Sequence, residues 1–237
     1  MAIVGILGGM GPMATVDVFQ KIVSQTPAQC DQDHFRIIID NNPLIPPRTQ
    51  AILGGGESPL PELIRSAKGL ESCGVHFIIM PCNTAHYWFH EIQQAITIPL
   101  IHMIDNAVEY IRAQHQEAAQ KIMLLATTGT VQTGLYGQAF SKHGLELLYP
   151  SAEDQELIAN VIEEIKAGHI ANNSYRDMLN SLMNRYAEQG IDAFIGGCTE
   201  IPLIFPYVKG NFITYDPTDL LALRAIHEAM RIRNKTI

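Results

Sequence analysis

No stretch of this chain approaches the roughly 18 apolar residues in a row that a membrane-spanning helix needs, so the sequence offers no candidate span. Basic residues are scarce. Lys and Arg total 16 against 24 Asp and Glu, a formal charge of -8, which argues against nucleic acid or an anionic membrane as partner. That balance still permits an acidic small substrate, which responds to the local field of a pocket. There is no Cys-x-x-Cys, and with it goes the usual signature of a structural zinc site. The opening Met1-Ala2-Ile3-Val4-Gly5 carries no basic leader, so the expectation is a cytoplasmic chain with reduced thiols. Two of the four cysteines, Cys30 in a polar loop and Cys73 at the end of a helical stretch, read as incidental.

What is present is alternation. Ile3 to Leu7, Phe35 to Asp40, Val75 to Met80, Pro99 to Ile101, Lys121 to Ala126, Glu146 to Tyr149, Ile191 to Ile195 and Phe212 to Tyr215 read as strands. Between them the pattern predicts helices from Pro12 to about Ser24, Pro61 to Ser72, Ala85 to Ala95, Ala107 to Gln116, Tyr136 to His143, Asp154 to Ala167 and Tyr175 to Gln189, with a last one from Thr218 onward. Asn41 to Thr49 holds three prolines and reads as an ordered loop; Gly54-Gly55-Gly56 reads as flexible linker. Strands alternating with helices imply a mainly parallel α/β arrangement.

Two stretches answer one another half a chain apart. Pro81-Cys82-Asn83-Thr84-Ala85-His86 follows one buried strand, and Gly196-Gly197-Cys198-Thr199-Glu200 follows another. Ile6 to Gly11 matches Leu124 to Gly129 at nearly the same offset, roughly 116 to 118 residues, a whole-domain repeat. The expectation is two pseudo-symmetric α/β lobes, residues 1–100 with 215–237 and residues 101–214, their two thiols facing each other across a cleft. Open α/β sheets bind ligands at the carboxyl ends of their strands, where both cysteines fall. Each is expected beside a helix N-terminus, whose dipole favours the thiolate, with Thr84 and Thr199 hydroxyls donating to it. Two thiols on opposite sides of a substrate suit inversion at a carbon acid. One removes the α-proton and the other returns a proton to the opposite face.

These motifs, with Gly8-Gly9-Met10-Gly11-Pro12-Met13-Ala14-Thr15, Ile45-Pro46-Pro47-Arg48-Thr49, Thr127 to Thr130 and Ile165-Lys166-Ala167-Gly168, resemble the cofactor-independent aspartate/glutamate racemase family over essentially the whole chain. The resemblance is greatest to its aspartate racemases. It implies an isomerase that needs no cofactor and no metal, acts on a dicarboxylic amino acid and works as a homodimer. Cys82 and Cys198 would be the two bases, Cys198 serving the L-enantiomer and Cys82 the D-enantiomer. Arg48 and Lys166 would hold carboxylates, and Met10, Asn83, Thr84, Thr127, Thr130 and Thr199 would line the pocket. One position departs: Pro47 stands where many relatives have Asp. Arg48 and Lys166 also make sense unaided, since a dicarboxylate has two anionic ends and an Arg fork grips one of them bidentately.

Other readings compete. Gly9-Met10-Gly11-Pro12-Met13-Ala14 fits G-x-G-x-x-A, with Asp40 ending the next strand, as in a nicotinamide oxidoreductase. That reading leaves the paired cysteines unexplained. Cys82, His86 and His90 have the four-residue spacing of a metal-binding helix face, but no acidic fourth ligand accompanies them, and His86 is better read as orienting the helix. A non-catalytic small-molecule sensor has no need of two thiols. Within the racemase-like group, glutamate or hydantoin racemisation and maleate isomerisation remain open, while two cysteines argue against the decarboxylase type.

Overall fold

Alternating side chains sort the strands' two faces, and helices cover both. The computed structural model describes residues 2–114 and 121–235. Its first elements are β1 (Ile3–Gly8), α1 (Pro12–Gln25), β2 (Arg36–Asn41), α2 (Arg48–Ile52), α3 (Leu60–Ser72), β3 (Phe77–Ile79), α4 (Phe89–Ala95), β4 (Leu100–Ile101) and α5 (Met103–Gln114). There follow β5 (Ile122–Leu125), α6 (Thr128–Thr133), α7 (Leu135–Lys142), β6 (Leu147–Leu148), α8 (Ala152–Lys166), α9 (Arg176–Glu188), β7 (Ala193–Gly196), α10 (Ile201–Ile204), β8 (Ile213–Tyr215) and α11 (Pro217–Lys235). The chain divides into two compact units, Met1–Asn106 with Thr218–Ile237, and Ala107–Pro217.

Each unit holds one four-stranded parallel sheet. The order is β2-β1-β3-β4 in the first and β6-β5-β7-β8 in the second, so both lay down their strands in the same sequence. In the first unit Val4, Ile6, Phe77 and Ile79 pack on one face with Val18 and Ile22 of α1 and Leu221, Ala225 and Ile226 of α11. Leu7 and Ile78 turn to the other face, against Leu63, Ala67 and Leu70 of α3 and Ile92 of α4. That is the period-two alternation of a strand buried on both sides. In the second unit Met123, Leu125 and Phe194 meet Ile158, Val161, Ile162 and Ile165 of α8 and Leu179, Leu182 and Met183 of α9. Each such fully buried aliphatic side chain stabilises its unit by about 1.5–3 kcal/mol before chain entropy is counted.

Pro12 opens α1 from its first position, where a missing N–H costs nothing. Several boundaries differ from the sequence reading. Helix α2 begins at Arg48, inside the stretch read as loop, because Pro46 and Pro47 stop at its N-terminus, where proline is tolerated. The stretch from Ala85 opens as a 3-10 turn, Thr84–Trp88, before α4 starts. Helix α5 starts at Met103 rather than Ala107, and Gln116 lies outside the described residues. Thr128–Thr133, read as part of a turn, is the short helix α6.

Candidate active site

In each sheet the strand order reverses once, between β1 and β3 in the first unit and between β5 and β7 in the second. Chains leaving such neighbouring strands in opposite directions open a crevice at the carboxyl edge. Cys82 follows β3 and Cys198 follows β7, so each unit carries one thiol at its own switch point. Both are buried, 4% and 6% exposed.

Around Cys82 the backbone is pinned by His86. The Cys82 N–H donates to the Met80 carbonyl at 2.8 Å, and the His86 N–H donates to the Asn83 carbonyl at 3.1 Å. The His86 ring spans two elements: its Nδ1 lies 2.8 Å from the Cys82 carbonyl, and its Nε2 accepts the Met103 N–H at 3.0 Å. An amide N–H only donates, so Nε2 is the bare nitrogen and Nδ1 carries the proton that the Cys82 carbonyl accepts. Burial, helped by the neighbouring His102, lowers the imidazole pKa to about 3, so the ring is neutral. Both ring nitrogens are thereby used, which removes the Cys82–His86–His90 metal reading; no metal-binding cluster occurs among the described residues.

Met10, Ile45, Trp88 and Cys82 share one apolar cluster, and Asn83 and Thr84 are buried beside it. The Arg48 Nη1 donates to the Ile45 and Pro46 carbonyls, each at 3.2 Å, and Nη2 to the Met10 carbonyl at 3.1 Å. Much of the fork is thus spent tying its own loop to the turn after β1. Its Nε is buried with no hydrogen-bond partner. That turn owes its glycines to close packing: a side chain on Gly9, at φ +92°, would strike the Asn42 backbone.

In the second unit Thr127 caps α6, its Oγ1 accepting the Thr130 N–H at 3.1 Å and donating to the Thr130 hydroxyl at 3.0 Å. The Cys198 Sγ donates to Glu200 Oε2 at 2.9 Å, and the Thr199 hydroxyl donates to the same oxygen at 3.1 Å. Thr199 and Glu200 are only 2% and 3% exposed. Lys166, the last residue of α8, bonds Glu163 at 2.8 Å. Burial works against its charge, but the neighbouring Cys198, Glu163 and Glu200 outweigh that and raise its pKa. Tyr136 of α7 is fully buried, its phenol pushed well up by burial and by the neighbouring Asp216 and Cys198.

Two local expectations fail. The Cys198 thiol is pushed well above its ordinary range rather than below it, by burial first and then by the Glu200 carboxylate; Lys166 pulls the other way. No helix dipole offsets this, because Cys82 leads into a five-residue 3-10 turn and Cys198 into the four-residue α10, both too short to build one. The Thr199 hydroxyl donates to Glu200 and not to the sulfur. Sequence reasoning passed over Glu200, whose signal was a lone acid in the apolar run Gly196 to Ile204, and Tyr136, which had no signal. A groove of about 610 Å³ between α8 and α9, lined by Asp154, Leu157, Met178 and Arg185 among others, holds neither thiol.

Comparison with known proteins adds to this geometry. The Asp/Glu/Hydantoin racemase family profile matches residues 7–225. The broad specificity amino-acid racemase RacX of Bacillus subtilis (strain 168) is 27% identical over 224 residues, 92% of this chain and 94% of that one. Among solved structures, the Picrophilus torridus aspartate racemase superposes with a TM-score of 0.86 at 33% identity, covering 97% of this chain and 95% of the other. The glutamate racemase of Francisella tularensis, solved with D-glutamate, shares the fold at a TM-score of 0.71 and 18% identity, covering 99% and 82%.

Proposed function

This chain belongs to the Asp/Glu/Hydantoin racemase family and is an amino-acid racemase, and from that premise we propose that it interconverts L- and D-aspartate, with glutamate as a second substrate, by proton transfer between two cysteines. The observation that carries this reading is the repeated one: two sheets of identical strand order, each with a single buried thiol just beyond the carboxyl end of its third strand.

In this reading one cysteine, as thiolate, takes the α-hydrogen as a proton. An S–H bond forms, the Cα–H bond breaks, and its electron pair spreads into the α-carboxylate. The other cysteine, as thiol, then gives its proton to the opposite face of the carbon and becomes the thiolate. Cys198 serves the L-enantiomer and Cys82 the D-enantiomer. Because the two thiols supply both transfers, the reaction as proposed runs without pyridoxal phosphate. Donors fixed around the α-carboxylate stabilise the carbanion charge. Lys166 serves as one of them, a role supported by its raised pKa beside Cys198. Arg48 offers a second carboxylate its unpartnered Nε–H and the remaining Nη2–H, which share one edge of the guanidinium. Met10, Asn83, Thr84, Thr127, Thr130 and Thr199 line the substrate site, and the protein works as a cytoplasmic homodimer.

The test is incubation with each enantiomer of aspartate and of glutamate in heavy water, followed by chiral separation and mass analysis. Both enantiomers of aspartate are expected to converge on an equal mixture with solvent deuterium at Cα, unchanged by added pyridoxal phosphate or chelator. If neither amino acid is interconverted, the substrate reading is wrong.

A further inference from the structure

We infer that Glu200 sets the resting protonation of the site: its carboxylate, gripping the Cys198 Sγ–H, keeps Cys198 as the protonated thiol and so leaves the role of initial base to the other cysteine. The catalytic meaning of this rests on the two-thiol reading above; the geometry stands without it. Two donors converge on one buried oxygen, the Cys198 S–H at 2.9 Å and the Thr199 O–H at 3.1 Å. An oxygen that accepts twice is suited to the ionised carboxylate. Only one proton sits between sulfur and carboxylate, and carboxyl groups are ordinarily the stronger acids by roughly four pKa units, so it stays on sulfur. A thiolate at this distance from the carboxylate would bring two buried negative charges together, which low-dielectric surroundings penalise heavily.

The groups facing Cys198 agree. Glu200, in its own turn, favours the thiol. Lys166 from α8, paired with Glu163, favours the thiolate, and Tyr136 from α7, itself facing Asp216, is a further titratable neighbour among the described residues. Burial and the carboxylate outweigh the lysine, and Cys198 is pushed up. The first unit lacks the device. Setting Cys82-Asn83-Thr84 beside Cys198-Thr199-Glu200 puts the uncharged Thr84 where the carboxylate stands. Two units of the same strand order thus differ in charge at the residue that decides which thiol holds the proton. Glu200 acts through Cys198 and is a positioning residue.

The experiment reads the thiol, not the reaction. The full chain is alkylated with iodoacetamide across pH 6 to 11 without substrate, and the rate at each cysteine is followed by peptide mass spectrometry. Exposed Cys30 and Cys73 are internal references. The midpoint for Cys198 is expected at least one pH unit above theirs. Glu200→Gln should lower that midpoint and speed Cys198 alkylation at pH 7.5 by about five-fold or more, while Glu200→Asp, which keeps the charge, should retain most of the elevation. Lys166→Met, a change at a half-exposed helix end, should move the midpoint further up and needs no change in the buried turn. A Cys198 midpoint at or below that of the references overturns the inference, as does an equal midpoint in the parent and Glu200→Gln. Racemisation is assayed on the same samples. A parent chain that racemises nothing, with the midpoints as expected, overturns the functional reading and upholds the protonation assignment.

Discussion

At the residue scale, the chemistry asked of each side chain is limited by what already holds it. Arg48→Lys keeps the charge but cannot reach three carbonyls in three directions. We expect weaker aspartate binding together with a loss of about 1–2 kcal/mol of stability, measured as a raised KM and a lower Tm. Lys166→Ala removes one charge-assisted contact and should raise KM for aspartate about 10- to 100-fold; unchanged kinetics would take it out of the site. Cys82→Ala and Cys198→Ala should each cut racemisation by about 10³-fold or more, since either change leaves a carbanion that cannot be reprotonated with inversion. Exchange of the α-hydrogen with heavy water should survive for D-aspartate in Cys198→Ala and be slower for L-aspartate in Cys82→Ala, where Glu200 keeps most of Cys198 protonated, and parental racemisation in either variant would sink the mechanism. His86 makes a separate prediction. Its folded-state pKa of about 3 lies below the unfolded value, so the unfolded chain binds the extra proton first. Stability should therefore fall as pH drops from about 6.5 towards 3, by roughly 1.4 kcal/mol per unit from this group. Denaturant titrations of His86→Asn should show a slope shallower by about that amount.

At the element scale, two devices hold the second unit's site elements in place. Asp154 of α8 accepts from Arg185 at 2.5 Å and from Tyr186 at 2.6 Å, both on α9, and from Ser151 at 2.9 Å. Burial resists its charge, yet these donors together hold the carboxyl below its usual range. A lowered carboxyl contributes stability that is fully present above the unfolded pKa and is lost as pH falls through the folded one. Asp154→Asn is expected to cost about 1–2 kcal/mol at pH 7 and progressively less below pH 4, read by thermal melts over that range. The other device is the approach of β7 to β5: a side chain on Gly197 would meet the Leu124 side chain and, at 2.9 Å, the Ala126 methyl. Gly197 precedes Cys198, so the contact that packs the sheet also sets the sulfur's position.

At the scale of the whole molecule, the first unit is discontinuous in sequence. Helix α11 returns after the second unit has been built and lays Leu221, Ala222, Ala225, Ile226 and Ala229 on the face of Val4, Ile6, Phe77 and Ile79. Removing residues 218–237 strips roughly 5 kcal/mol or more of apolar burial, comparable with the net stability of a domain. The truncated chain should lose cooperative unfolding of the first unit in circular-dichroism melts; a parental melting curve would show that α11 is dispensable.

The strands, their alternation and the place of both thiols along the chain were legible because they depend on neighbours in sequence. A period of two marks Ile3 to Leu7 as a strand whatever lies across from it, and Pro12 or Gly196-Gly197 marks where the element changes. The shared strand order of the two units was foreshadowed by the nearly constant offset of their motifs. What tertiary structure alone decided depends on neighbours in space. The ionisation of Cys198 was read from sequence as favoured by a helix end, and the fold reverses it. The helix is too short, the sulfur is buried, and Glu200 points its carboxylate at the thiol while Lys166 and Tyr136 arrive from α8 and α7. Arg48 read as a free fork, and the fold commits most of it to carbonyls on both sides of its loop. Periodicity tells which face of an element is buried. Charge, proton and donor depend on what that face meets, and only the packed chain determines that.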